Sequence, residues 1–227
     1  MLHMSNQAYL AMWCKDFPEE LILERFSAFL ATVPFSTSRP AFTYLAIRAV
    51  DSSETPILEQ DLRSVPLDAA RIIEIVQDHR HNDCSYEVCS HWDLWTLYVE
   101  TGQWKLEPQA LEIFCHGQDF DDGFWQENGH LEVNLGFEHF FTGHAGLLGI
   151  GRSTKAPPQS PEEARFLEMM AWPGNLQAYQ EKTRENIRKL LEWVRHIERV
   201  VPVQRLRLWS EGEENFEARL EEILAVR

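Results

Sequence analysis

The stretch CSYEVCSHWDLWTLYVETGQWKLEPQALEIFCH, residues 84–116, and the segment LEVNLGF, residues 131–137, decide the fold. Apolar and polar side chains alternate along both, the period-two signature of strands with one buried face. Residues 86–92, 95–100, 104–106, 111–116 and 131–137 read as successive strands. Thr101-Gly102-Gln103 is a short turn between neighbours, so the arrangement is a meander and the sheet mainly antiparallel.

The alternation also assigns faces. Leu111, Ile113 and Cys115 point one way, while Glu112, Phe114 and His116 point the other. Leu131, Val133, Leu135 and Phe137 likewise oppose His130, Glu132, Asn134 and Glu138. If the apolar rows share the core, a symmetric register sets His116 directly across from His130, with Cβ atoms ~5 Å apart.

Working outward, Asp16, Pro18 and Glu19 read as a helix start, followed by Ile22, Phe26, Phe29 and Leu30 at helical spacing until Pro34. Residues 42–50 are rich in β-branched and aromatic side chains and read as a strand. A second helix begins near Pro66 with Ala69, Ile72, Ile73 and Val76 on one face. Residues 1–15 carry no readable pattern. Gly151, Pro157, Pro158 and Pro161 mark residues 151–160 as a linker. Beyond it, Leu176, Tyr179, Thr183, Ile187, Leu190, Val194, Ile197 and Val201 form a long apolar helical stripe, with Asn175 as cap and Pro202 as stop. Residues 205–209 suit a short strand, and Ser210 with Glu213 forms a capping box ahead of Phe216, Leu220 and Ile223.

The long stripe needs cover, and the apolar face of the meander is the available partner. The expected fold is therefore α+β: a mainly antiparallel central sheet of five or six strands with N- and C-terminal helices on one face, a two-layer sandwich. Residues 1–227 are expected to form a single domain. Within it, residues 1–150 are rich in sheet, residues 151–160 are the linker, and residues 161–227 are helical and packed on the sheet.

Charge narrows the function classes. The chain has 227 residues and a net charge of −15. Residues 161–227 carry 11 basic and 13 acidic side chains, whereas residues 1–160 carry 10 and 23, so the acidity belongs to the sheet. That balance argues against nucleic acid and anionic membranes, whose affinity rests on Lys and Arg. No apolar run approaches the ~20 residues of a membrane span. Cys14, Cys84, Cys89 and Cys115 show no CxxC spacing and read as reduced thiols of a cytoplasmic protein.

Site motifs are sparse. Residues 119–123, DFDDG, fail the calcium-loop template because glycine falls fifth and His130 twelfth. Residues 146–153 resemble a phosphate loop, but the lysine is missing and Pro157 and Pro158 follow where a helix is needed. Cys84, Cys89, His91 and Cys115 suit zinc only if the fold gathers them. No serine elbow and no Cys–His pair at a family spacing occurs.

The reading that follows is a non-enzymatic cytoplasmic binding protein, without cofactor, whose acidic surface meets a basic protein partner. It is like small immunity or antitoxin proteins in physical character only. Asp119, Asp121, Asp122 and Trp125 are expected to be exposed and to bind that partner. The alternative is a metal-dependent hydrolase using His116, His130 and Glu132, since two imidazoles and a carboxylate within reach suit a divalent ion.

Overall fold

The computed structural model describes residues 6–144, 158 and 160–225. Among them are seven strands: β1 (Gln7–Cys14), β2 (Tyr44–Ala49), β3 (Leu58–Asp61), β4 (Cys84–Tyr98), β5 (Gln103–His116), β6 (Leu131–Phe137) and β7 (Val203–Ser210). They form one sheet in the order β3-β2-β4-β5-β6-β1-β7, every neighbouring pair antiparallel. The class is α+β as expected, but seven strands replace the expected five or six.

Three differences separate the observed strands from the expected ones. Residues 1–15, unreadable as a sequence, include β1, a central strand paired on both sides. Its pattern is invisible because Ala8, Leu10 and Met12 and also Ala11 and Trp13 are buried, so alternation disappears. Residues 58–61 contribute edge strand β3, too short and too polar to announce itself. In the other direction, the strands expected at 86–92 and 95–100 are one strand, as are those at 104–106 and 111–116, giving arms of 15 and 14 residues.

The helices are α1 (Ile22–Leu30), α2 (Ala69–Val76), the single-turn α3 (Trp125–Asn128) and α4 (His139–Thr142), α5 (Pro161–Met170), α6 (Pro173–Val200) and α7 (Phe216–Ala225). Ends follow local chemistry with small departures from expectation. Asp16 does not cap α1; it sits at φ +48°, and the first turn is a 3-10 turn, Glu19–Leu21. Asp68 caps α2 by accepting from the Arg71 amide at 2.9 Å. Trp172, not Asn175, precedes α6, with proline in its first turn. Asn215 accepts from the Ala218 amide at the start of α7, while Ser210 accepts from Glu213.

One buried cluster joins Leu10 and Met12 of β1, Val88 and Trp92 of β4, Ile113 of β5 and Val133 of β6 to Phe26 of α1, Ile72 of α2, Phe166 of α5, Ile187 and Leu190 of α6 and Leu220 of α7. The apolar stripe of α6 thus finds the cover that its sequence requires. Burial of such large side chains stabilises by roughly 1.5–3 kcal/mol each.

The β4–β5 hairpin outgrows the sheet, because β2 stops pairing with β4 at Cys89. The backbone edge left beyond that point must find other partners. Ser36 donates its amide to His91 O, Lys189 Nζ donates to Asp93 O at 2.7 Å, and Asn186 accepts from the Trp95 amide at 2.8 Å while donating to Trp95 O and Phe140 O. Helix α6 therefore substitutes for a missing strand.

Candidate functional site

The register places three rows of side chains on the sheet face opposite the helices. The first row is Tyr44, Cys89, Glu112, Asn134, Tyr9 and Trp209; the second is Ala46, Glu87, Phe114, Glu132, Ala11 and Arg207. The third contains Arg48, Ser85 and His116, continued by His130 through a 2.8 Å bond from the His116 amide to His130 O. None of these side chains belongs to the buried helix-side cluster. The sequence expectation that His116 and His130 face each other is met, since Cys115 pairs with Leu131 one step earlier.

The first two rows are partly open to solvent, and carboxylates occupy their centre. Glu87, Glu112 and Glu132 lie on β4, β5 and β6, the middle of the sheet. Glu87 pairs with Arg48 at 2.6 Å, Glu112 accepts from Asn134 Nδ2 at 3.0 Å, and Glu132 lies 3.5 Å from His116 Nε2. Their field is felt by neighbours. Burial, then Glu211, then Glu132 and Glu112 push the Tyr9 hydroxyl up to about 12. Burial, then Glu87 and Glu112, push the Cys89 thiol up to about 12. Aromatic rings flank the carboxylates: Tyr9 stacks on Trp209 at 4.3 Å, and Phe114 stands between Glu87 and Glu132 in its row. The arginines keep to the margins, with Arg205 lying 4.2 Å over the Trp13 ring on edge strand β7.

The third row is closed by residues 117–129. Gly129, at φ +91°, brings this cap so close to β1 that a Cβ would stand 2.7 Å from the Met12 nitrogen. Phe124 meets the His116 ring edge-on at 4.9 Å, and Trp125 stacks on His130 at 4.4 Å while donating Nε1 to Gln118 O. Phe17 covers the His130 ring from β1's side at 4.3 Å. Of the residues expected to bind a partner, Asp119 and Asp122 are exposed. Asp121 is half-buried and accepts from Ser52 Oγ at 2.6 Å. Trp125 is half-buried, with its ring and its Nε1 both engaged in holding the cap.

His116, His130 and Glu132 do come together, but their hydrogen bonds weigh against a metal. His130 Nδ1 accepts from the Cys14 amide at 3.1 Å, so the neutral ring carries its proton on Nε2. A metal-ligating imidazole does the reverse, donating from one nitrogen and coordinating through the other. Burial, with a smaller contribution from His116, lowers His130 to about 4, which keeps that tautomer neutral. Among the described residues no group of three or more His, Cys, Asp or Glu side chains is placed to hold a metal ion. The zinc set is split by alternation: Cys84 and Cys115 face the helices, Cys89 and His91 the opposite side.

Ser85 Oγ lies 2.9 Å from His116 Nδ1, with Glu132 beyond Nε2, an order suited to a nucleophilic relay. Ser85 is only 6% exposed and His116 3%, and Phe120 and Phe124 pack over the imidazole, leaving a substrate carbonyl no approach. The phosphate-loop-like residues 146–153 lie outside the described residues.

Sequence reasoning missed Tyr9 and Trp209 as neighbours of Glu112 and Glu132, and Arg48 as the partner of Glu87. Only strand order brings β1, β7 and β2 alongside the meander, and no local signal encodes that order. No protein-family model matches this chain, and no curated protein or solved structure matches it significantly.

Proposed function

We propose that this chain is a non-enzymatic cytoplasmic binding protein and that the uncovered sheet face is the surface that meets a basic protein partner. One observation carries the reading: Glu87, Glu112 and Glu132 converge among half-exposed aromatic rings on the face left free by the core helices. Aromatic groups supply packed area and carboxylates supply steering, the division of labour found at protein interfaces. Asp119 and Asp122 extend the same negative surface from the cap, whereas Trp125 serves the cap itself. The physical character remains that of a small immunity or antitoxin protein.

The test is capture by the immobilised full chain, comparing wild type with Glu87→Gln/Glu112→Gln/Glu132→Gln and with Asp119→Asn/Asp122→Asn. A basic protein retained by wild type, released as the Debye length shrinks from ~10 Å at 0.1 M salt to ~3 Å at 1 M, and lost on the triple variant supports the proposal. Equal capture by wild type and triple variant refutes it. Loss on the aspartate variant alone moves the surface to the cap.

A further inference from the structure

Away from the acidic rows, the segments 38–43 and 62–66 enclose a cleft of about 500 Å³ against the side of β4. That volume falls within the range of small-molecule sites, roughly 300–1,000 Å³. Its chemistry is opposite in sign to the sheet centre. Arg39 Nη1 lies 3.0 Å from His91 Nε2. Guanidinium cannot accept, so the His91 ring takes the proton from Arg39 on Nε2 and carries its own on Nδ1. Burial and then the Arg39 charge lower the pKa of His91, which keeps it a neutral acceptor. Arg39 is thereby held by a neutral group and makes no ion pair among the described residues, so its exposed charge is available to an anion at the cleft mouth. His91 Nδ1 is itself buried without a partner. On the opposite wall Arg63 is spent on both oxygens of Asp61, a pair neutral as a whole. Pro40, Ala41 and Pro66 supply the accessible apolar surface of the remainder, backed by buried Phe42 and Leu62.

We infer that this cleft is a site for a small organic monoanion, a carboxylate carrying a compact apolar body. Arg39 offers the charge-assisted fork to the carboxylate, His91 positions that fork, and Pro40, Ala41 and Pro66 receive the body. The cleft shares the acidic face through His91, but no carboxylate of the acidic rows lines it, so the two readings rest on different residues and stand or fall independently.

The test is an NMR titration of the isotope-labelled full chain with sodium benzoate, and with benzyl alcohol as the neutral probe of similar shape. Expected are saturable shifts at the amides of Ser38, Arg39, Ala41 and Thr43. Benzyl alcohol should bind roughly tenfold or more weakly, the scale of a lost hydrogen bond to a charged group. Arg39→Gln should weaken benzoate by a similar factor and leave benzyl alcohol unchanged; Arg39→Lys, which keeps the charge without the fork, should fall between. Spectra unchanged outside the cleft establish that the variants are folded. The inference is overturned if benzoate gives no saturable shifts, if both probes bind alike, or if Arg39→Gln binds benzoate as wild type does.

Discussion

Lowering the pH from 7.5 to 5 should destabilise the protein through His130, and the structure allows the size to be worked out. The ring is 4% exposed, sandwiched between Phe17 and Trp125, with Nδ1 engaged by the Cys14 amide and Nε2 without a partner. Its pKa falls from 6.5 to about 4. The folded pKa is the lower one, so between these values the unfolded chain binds the extra proton. The stability contribution is therefore complete above pH 6.5 and is lost as the pH falls toward 4. At pH 5 the unfolded ring is almost fully protonated and the folded ring is not, which corresponds to a loss of about 2 kcal/mol relative to pH 7.5. Burial lowers the pKa of His139 and His144 as well, so the useful quantity is the difference from His130→Asn. The asparagine Oδ1 can still accept from the Cys14 amide but does not titrate. At pH 7.5 the variant should be less stable than wild type by about 1–2 kcal/mol, from the lost ring contacts. Urea unfolding of both proteins at pH 7.5, 6.5, 5.5 and 5.0 should then show the gap closing by about 2 kcal/mol on acidification. Parallel stability profiles would refute the reasoning, because they would mean that His130 accepts its proton as readily in the folded state as in the unfolded one.

Asn186→Ala should cost about 3 kcal/mol or more in urea unfolding, because the Trp95 amide and the carbonyls of Trp95 and Phe140 lose their side-chain partner together. Trp125→Ala should lower stability by about 2 kcal/mol and raise the pKa of His130 toward its ordinary value in an NMR titration, since the indole covers that ring. Ending the chain at residue 160 should abolish cooperative unfolding. It removes the Ile187, Leu190, Trp193 and Ile197 side of the core together with the cover for the β4 edge, and a sharp thermal transition in the truncated protein would count against this account.

The meander was legible because alternation is a local property: a strand with one wet face writes its register into consecutive residues. From it follow the antiparallel sheet, the facing of His116 and His130, and the carboxylates on the side away from the core. The stripe from Leu176 to Val201 was legible for the same reason, and its need for cover implied the helical layer. The place of β1 was not legible, because a strand buried on both faces loses its alternation, and neither was β3, whose four residues bury little. Nor could sequence say that Tyr9 and Trp209 come beside Glu112 and Glu132, since strand order depends on the total packing of the sheet and not on any one segment. The tertiary structure alone assigned Trp125 to the cap, through a ring contact with His130. It also decided the tautomer of His130, because a backbone amide 116 residues away, that of Cys14, donates to it. The chemistry of an imidazole is set by what stands around it, and what stands around this one is brought there only by folding.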